Sequence, residues 1–205
     1  MLDKKGFDLW AEGYDQSVAI SENDKSYPFA AYSRVLNEVY NQLSASSAKN
    51  VLDIGFGSGR LTTRLYKQGC RIYGQDFSEE MRKIAQKKMP DARLYCGDFS
   101  KGLAEPLRRQ SYDAIIAAYS LHHLRDEEKI SFINDLLSLL NEGGILCIGD
   151  VAFLTREDLE ACKAEAEDEW DDEEFYFVFE EIKKHFPDMS FKKASFCSGV
   201  LTLKK

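Results

Sequence analysis

The sequence predicts an α/β protein in three layers: a mostly parallel sheet, helices on both faces, and a hairpin at its C-terminal edge. Three observations predict it. Strand-like and helix-like segments alternate from Val51 onward, which favours parallel strands joined by helical crossovers. The run Ile145 to Val151 is almost wholly apolar, as a strand covered on both faces should be. The chain then closes on two extended runs, Phe191 to Leu203, around a Ser198-Gly199 turn.

The elements follow in order. Phe29, Tyr32, Val35, Leu36, Val39, Tyr40 and Leu43 recur at helical spacing and give the N-terminal segment one apolar face. Val51 to Ile54 is a short strand ending at a glycine-rich turn. A helix begins near Arg60 and is closed by Gly69. Arg71 to Gln75 is the second strand. Ser78 caps the next helix, with Glu79 and Glu80 in its first turn, and Pro90 ends it. Ala92 to Cys96 and Tyr112 to Ala118 are the third and fourth strands. Ile130, Ile133, Leu136, Leu137 and Leu140 mark a helix face, stopped by Gly143-Gly144 before the fifth strand. Thr155 caps a further helix. Phe175, Val178, Phe179, Ile182 and Phe186 stripe the last one. The 205 residues form one domain in this reading: 1–48 helical, 49–152 the core of the sheet, and 153–205 the final helices and hairpin.

Composition narrows the function. Apolar residues make up 44% of the chain and charged residues 30%, as in ordinary globular proteins. No stretch nears the roughly 20 apolar residues of a membrane span, and the N-terminus does not read as a signal peptide. Five scattered cysteines with no Cys-x-x-Cys pair argue against a disulfide framework or zinc site and for a reducing compartment, the cytoplasm. A net charge of −8 disfavours nucleic acid as a partner. The acidic run Glu165 to Glu174 reads as a solvated helix face rather than a cation site.

The informative segment is Asp53-Ile54-Gly55-Phe56-Gly57-Ser58-Gly59, between the first strand and its helix. Glycines let the backbone approach a ligand, and the helix beyond offers free N–H groups. The pattern is Gly-x-Gly-x-Gly, not the Gly-x-Gly-x-x-Gly that accommodates a pyrophosphate. Asp53, two residues earlier, suits a ligand carrying an ammonium or sulfonium. Asp76 follows the second strand about twenty residues on, where an acid can hold ribose hydroxyls. It also fits a turn or cap aspartate. Gly97-Asp98-Phe99 ends the third strand, where a carboxylate can meet an adenine amino group and a ring can cover the base. A turn aspartate beside a core phenylalanine fits these residues as well.

Together these segments resemble the class I S-adenosylmethionine-dependent methyltransferases, over roughly residues 48 to 152. Asp53 to Gly59, Gly74-Gln75-Asp76-Phe77-Ser78, Gly97-Asp98-Phe99, Tyr112 to Ile116 through Leu121-His122-His123-Leu124, and Leu140 to Gly144 stand in the family's order and spacing. Trp10-Ala11-Glu12-Gly13-Tyr14-Asp15 and Cys197 to Leu203 resemble the small bacterial YrrT-like members. The resemblance implies a Rossmann-like, seven-stranded sheet with an antiparallel last strand and an N-terminal helical lid over the cofactor. It implies S-adenosyl-L-methionine as donor and S-adenosyl-L-homocysteine as product. Gly55, Phe56, Gly57 and Gly59 would face the methionine part and Asp53 its amino group. Asp76 would hold the ribose, Asp98 and Phe99 the adenine, with Phe77 also at the cofactor and Tyr119 near the methyl group.

On the acceptor side the candidates are Tyr14, His122 and His123, the histidines as general bases or as packed rings. Tyr176 and Phe177 fall off the apolar stripe of their helix and are expected to be exposed, lining the acceptor pocket or packing on a lid helix. No metal site is expected. Ala117-Ala118-Tyr119-Ser120 stands where DNA amino-methyltransferases carry Asn/Asp-Pro-Pro-Tyr/Phe, and there is no Pro-Cys nucleophile. The expected acceptor is therefore a small molecule, and the enzyme a monomer or homodimer away from membranes. Two alternatives remain: a non-catalytic S-adenosylmethionine-binding sensor or partner subunit, and a dinucleotide-dependent oxidoreductase.

Overall fold

The computed structural model describes residues 26–205. Tyr14 and the Trp10–Asp15 segment lie outside the described residues. Helix α1 (Tyr32–Ala45) buries Tyr32, Val35, Leu36, Val39 and Leu43, which are the expected apolar stripe. Strand β1 (Asn50–Ile54) leads through the glycine turn to α2 (Thr62–Lys67). Strand β2 (Arg71–Asp76) follows, then α3 (Glu79–Lys88), whose N-cap Ser78 accepts from the Met81 N–H at 3.2 Å. Strand β3 (Arg93–Cys96), a 3-10 turn (Phe99–Lys101) and α4 (Glu105–Arg108) precede β4 (Tyr112–Ala118). After a 3-10 turn (Leu121–His123) come α5 (Asp126–Ser138), β5 (Leu140–Phe153) and α6 (Arg156–Ala166). The chain ends with β6 (Phe177–Val178), α7 (Phe179–Ile182), β7 (Ser190–Lys193) and β8 (Ser198–Lys204).

The strand order is β3-β2-β1-β4-β5-β8-β7, with β6 pairing the end of β5. Strands β3 to β5 are mutually parallel; β8 runs antiparallel to both β5 and β7. The mostly parallel sheet and antiparallel hairpin are thus as expected, with one two-residue strand added, but the hairpin turns at residues 194–197; Ser198 and Gly199, expected at the turn, pair with Val151 and Asp150 inside β8. The hairpin does not simply append to the edge, because β8 enters between β5 and β7.

Two apolar layers flank the sheet. One, around Val35, Val39, Val51, Ile116 and Val200, lies under α1; the other, around Leu52, Ile115, Ile133, Leu136 and Leu201, lies under α5. Alternate residues of one strand serve opposite layers, as the pleat requires. Helix α1 sits close to the sheet because Gly149 of β5 has no side chain. A Cβ there would stand 2.6 Å from Val35 Cγ1. Burying Val35, Leu36, Val39 and Leu43 contributes about 1.5–3 kcal/mol each.

Two expectations are corrected. The fifth strand starts at Leu140 rather than at Ile145. Residues 141–144 bulge, so that Tyr112 pairs with Leu140 and Ala114 with Ile145. The last helix is the larger departure. Phe175 and Val178 fit a helical stripe, yet Phe177 and Val178 pair with Ala152 and Phe153 of β5, and helix forms only over Phe179–Ile182. An unpaired end of β5 overrides a local period that is correct for a shorter segment. Tyr176 and Phe177 are consequently buried, not exposed. Among the described residues no helix is long and apolar enough to cross a membrane, and all five cysteines are free thiols.

Candidate active site

Strand order reverses between β1 and β4, and a crevice opens at the carboxyl ends of parallel strands at such a point. A cavity of about 470 Å³ lies there, bounded by Asp53, Gly57, Asp76, Asp98, Tyr119 and His123 among others. The structure therefore brings the glycine loop, both downstream acids and the residues after β4 to one place.

The glycine loop is set by backbone geometry. Gly55 has φ +70, and a Cβ on it would fall 2.4 Å from Ser120 Cβ. Ser120 in turn donates from its hydroxyl to the Ile54 carbonyl at 2.8 Å, which locks the turn after β4 onto the end of β1. Asp76 holds the loop from the other side. Its Oδ2 accepts from the Gly57 N–H at 2.7 Å and its Oδ1 from the Ser78 N–H at 2.8 Å. Asp76 thus both lines the cavity and organises the loop and the start of α3, so the two readings of it hold together.

Asp53 is nearly sealed, at 3% exposure. One oxygen accepts from the Thr62 hydroxyl. The other, Oδ1, is buried with no hydrogen-bond partner among the described residues. Burial pushes its carboxyl up to about 7; the Thr62 hydroxyl opposes this, and nearby Asp76 adds to it. A buried carboxylate oxygen without a donor, on the wall of a cavity, fits a ligand that brings a cationic donor.

Asp98 caps the turn after β3, accepting from the Ser100 N–H at 3.0 Å and the Ser100 hydroxyl at 2.6 Å. Against the burial that would raise it, these bonds and Lys101 hold its carboxyl below the usual range. Phe99 stacks on Phe132 at 5.7 Å while bordering the cavity, and Phe56 and Phe77 border it too. Gln75, which sequence reasoning missed, fixes this corner. Its amide donates to Gly102 O at 3.1 Å and accepts from Ala104 N at 2.7 Å. A fully buried amide at the end of an apolar strand was the available signal.

Tyr119 has φ +52, a strained backbone immediately after β4. Its ring lies against Tyr32 at 4.8 Å and Phe29 at 5.6 Å, and burial raises its phenol well above 10. His123 borders the cavity; burial and the adjacent His122 push its imidazole down to about 3. His122 turns away. Its Nδ1 is 2.6 Å from Oδ1 of Asp150, a fully buried acid of β5. Burial works to lower the His122 pKa, but Asp150 and then Glu174 overcome it and hold it raised. Asp150 was missed as well, although it is the lone acid in the apolar run Ile145 to Val151.

The structure separates the aromatic pair. Tyr176 faces the His122 side, donating to Glu174 Oε2 at 2.8 Å, bonded to the Tyr27 hydroxyl, and edge-on to Trp170 at 5.0 Å. Phe177 points into the opposite layer, under Lys129 Nζ at 4.8 Å. The residues of the acidic run 165–174 are exposed, except for half-buried Ala166, Trp170 and Glu174. Donor atoms of His122, His123 and Glu174 lie within 4.8 Å of one another, close enough to converge on a metal ion, a possibility the sequence did not suggest.

The comparisons with known proteins agree with this geometry. Residues 51–144 match the family model described as a methyltransferase domain. An uncharacterized methyltransferase of Anoxybacillus flavithermus is 36% identical over 160 residues, 78% of this chain and 72% of that one. Another, from Oceanobacillus iheyensis, is 32% identical over 212 residues, covering 97% and 95%. Among solved structures, magnesium protoporphyrin IX methyltransferase from Synechocystis with bound S-adenosylhomocysteine superposes with a TM-score of 0.72 at 21% identity, covering 99% of this chain and all of that one. The N-methyltransferase NodS from Bradyrhizobium japonicum gives 0.63 at 16% identity, covering 93% and 97%. At these identities the superpositions speak for the fold, and the sequence relatives for the family. With the glycine loop, the acid after β2 and the strand order in agreement, the chain belongs to the class I S-adenosylmethionine-dependent methyltransferases.

Proposed function

We propose that this enzyme methylates a small molecule, with S-adenosylmethionine bound along the glycine loop. The observation that carries the donor assignment is Asp53 Oδ1, a buried carboxylate oxygen lacking a donor among the described residues. It suits the α-ammonium of the methionine part. Asp76, which lines the cavity, then serves the ribose. Asp98, Phe99 and Phe77 enclose the adenine, Gly55, Phe56, Gly57 and Gly59 pass beside the methionine part, and Tyr119 stands near the methyl group. Structural neighbours titled as complexes with S-adenosylmethionine or S-adenosylhomocysteine support the donor. A donor with an activated methyl group asks the protein mainly for orientation and exclusion of water.

The small-molecule acceptor rests on the net charge of −8 and on the absence of the DNA-methyltransferase motifs after β4. Tyr176, which borders the second cavity, is read as the aromatic residue beside the acceptor. Tyr14 belongs to the same reading as part of a lid; Phe177, facing the other layer, contributes packing behind it. The enzyme is read as cytoplasmic, monomeric or dimeric.

Calorimetric titration with S-adenosylhomocysteine tests the donor site. Because Asp76 also holds the Gly57 and Ser78 N–H groups, Asp76→Asn is a better variant than Asp76→Ala. Micromolar binding to the wild type, weakened at least tenfold in Asp76→Asn and absent for NADH, is expected. No binding, or binding of NADH instead, would overturn the proposal.

A further inference from the structure

The chain buries a carboxylate in the middle of its sheet, beside the turn that follows β4. Asp150 is fully buried in β5, within the stretch 145–153 that is otherwise apolar or glycine. Burying an acid is costly unless every lone pair is used. Here Oδ2 accepts from the Leu121 N–H at 3.2 Å, and Oδ1 from the Val151 N–H at 2.8 Å. The remaining partner is His122 Nδ1 at 2.6 Å. An ionised Asp150 can only accept, so the neutral imidazole must carry its proton on Nδ1 and a lone pair on Nε2.

His122 itself lines neither cavity, but its ring lies between residues that border two of them. On one side His122 packs against His123, with ring centroids 4.3 Å apart, and His123 borders the donor cavity. On the other, Nε2 lies 3.5 Å from Glu174 Oε1, beyond hydrogen-bond range. Glu174 borders a second cavity of about 190 Å³ with Trp170 and Tyr176. We propose that His122, oriented by Asp150, accepts the acceptor's proton through Nε2, and that the acceptor is an amine or a hydroxyl compound rather than a thiol. This rests on the S-adenosylmethionine reading above.

The step balances as follows. A lone pair on the acceptor nitrogen or oxygen forms the new bond to the methyl carbon. The carbon–sulfur bond breaks and its pair returns to sulfur, which becomes a neutral thioether. The proton of the attacking atom passes to His122 Nε2 and then to water. A thiol attacks as its thiolate, a strong nucleophile toward carbon that needs no proton removed in the transition state, so it depends on a positioned base least of the three. His123 is the poorer base of the two, since burial and its neighbour hold it at about 3. Asp150 is a positioning residue: it fixes the tautomer and favours the imidazolium that forms, the role an acid plays behind a catalytic histidine.

The charged and titratable groups facing His122 are Asp150 from β5, Glu174 from the segment before β6, Lys129 from α5, the adjoining His123, and Tyr176 with its ring 6.2 Å away. The two carboxylates raise the imidazole above 6.5 against burial and Lys129. Proton acceptance requires the neutral ring, so turnover rises with pH along a limb centred above 6.5. Removing the Asp150 charge moves that limb to lower pH.

Two arms test this on the full chain. In the first, ¹⁵N-histidine NMR follows His122 with pH, in the free protein and with S-adenosylhomocysteine. An Nδ1–H tautomer with a pKa above 6.5 that falls in Asp150→Asn is expected; an Nε2–H tautomer, or a pKa unmoved by Asp150→Asn, overturns the proposal. In the second, methyl-labelled S-adenosylmethionine is offered with phenethylamine, catechol or 2-phenylethanethiol. His122→Asn keeps a donor for Asp150 and deletes Nε2. It should lower kcat on the amine or hydroxyl acceptor by about 10²–10⁴-fold and leave S-adenosylhomocysteine affinity within threefold. Methylation of the thiol alone, undiminished in His122→Asn, overturns it. Where no acceptor of the three is methylated, the NMR arm decides. Failure of S-adenosylhomocysteine to bind would count against the donor site, and the free-protein titration would still decide the dyad.

Discussion

Replacing Asp53 with asparagine should make the ligand-free protein more stable, and increasingly so as pH rises. In the folded chain the Asp53 carboxyl titrates near 7; unfolded, it returns to about 3.8. Below about pH 4 both states hold the proton. Between about 4 and 7 the folded state keeps a proton that the unfolded state has released, so stability falls as pH rises. Above 7 both states are ionised and the cost is constant. Each pH unit of separation is worth about 1.4 kcal/mol, so a gap of about three costs the ligand-free protein about 4 kcal/mol at pH 8. Urea unfolding of wild type and Asp53→Asn at pH 4.5, 6, 7 and 8.5 measures this, because groups common to both proteins cancel in the difference. The advantage of the variant should grow by about 3–4 kcal/mol across that range and level off above 7. A difference that stays flat with pH would refute the assignment of a buried, donor-starved carboxylate. The same charge is the binding energy held in reserve: wild-type affinity for S-adenosylhomocysteine should strengthen from pH 6 to 8, and Asp53→Asn should lose that trend.

Two further substitutions test the site's construction. Gly55→Ala puts a Cβ 2.4 Å from Ser120 Cβ at φ +70; a loss of about 2–4 kcal/mol in urea unfolding and of most S-adenosylhomocysteine affinity is expected, and a change within about 0.5 kcal/mol would show that the turn is not set there. Tyr176→Ala should raise the acceptor KM and leave S-adenosylhomocysteine affinity unchanged; equal losses of both would mark Tyr176 as structural.

What could be read from the sequence was whatever is encoded locally. Val51 to Ile54 followed by three glycines, or Ser78 followed by two acids, specify a strand, a turn and a capped helix with information carried within ten residues. The Asp53, Asp76 and Asp98 placements come from the same source, since each lies within two residues of the end of its strand. The 175–186 segment failed for the opposite reason. Its apolar spacing suits a helix, but what decides it is the open edge of β5 at Ala152 and Phe153, more than twenty residues away. Asp150 and Gln75 were missed because an acid or amide within an apolar run acquires its meaning from partners on other segments: His122 for the one, Gly102 and Ala104 for the other. Tyr176 and Phe177, adjacent in sequence, serve opposite layers once the segment is extended, a distinction the helical reading could not make.

The insertion of β8 between β5 and β7 bears on how the molecule is born. Ribosomal synthesis delivers β8 after both of its neighbours, so a nascent chain emerging with β1 to β5 carries a long, apolar, unzipped edge on β5. That edge runs from Ile145 to Val151, the stretch β8 will cover residue by residue, and it includes Asp150. Until β8 arrives, the partly made enzyme has a donor loop but no sealed floor beneath its proton acceptor. Incomplete chains should therefore be sticky and inactive together, and the emergence of β8 should convert an aggregation-prone intermediate into a working catalyst in one step.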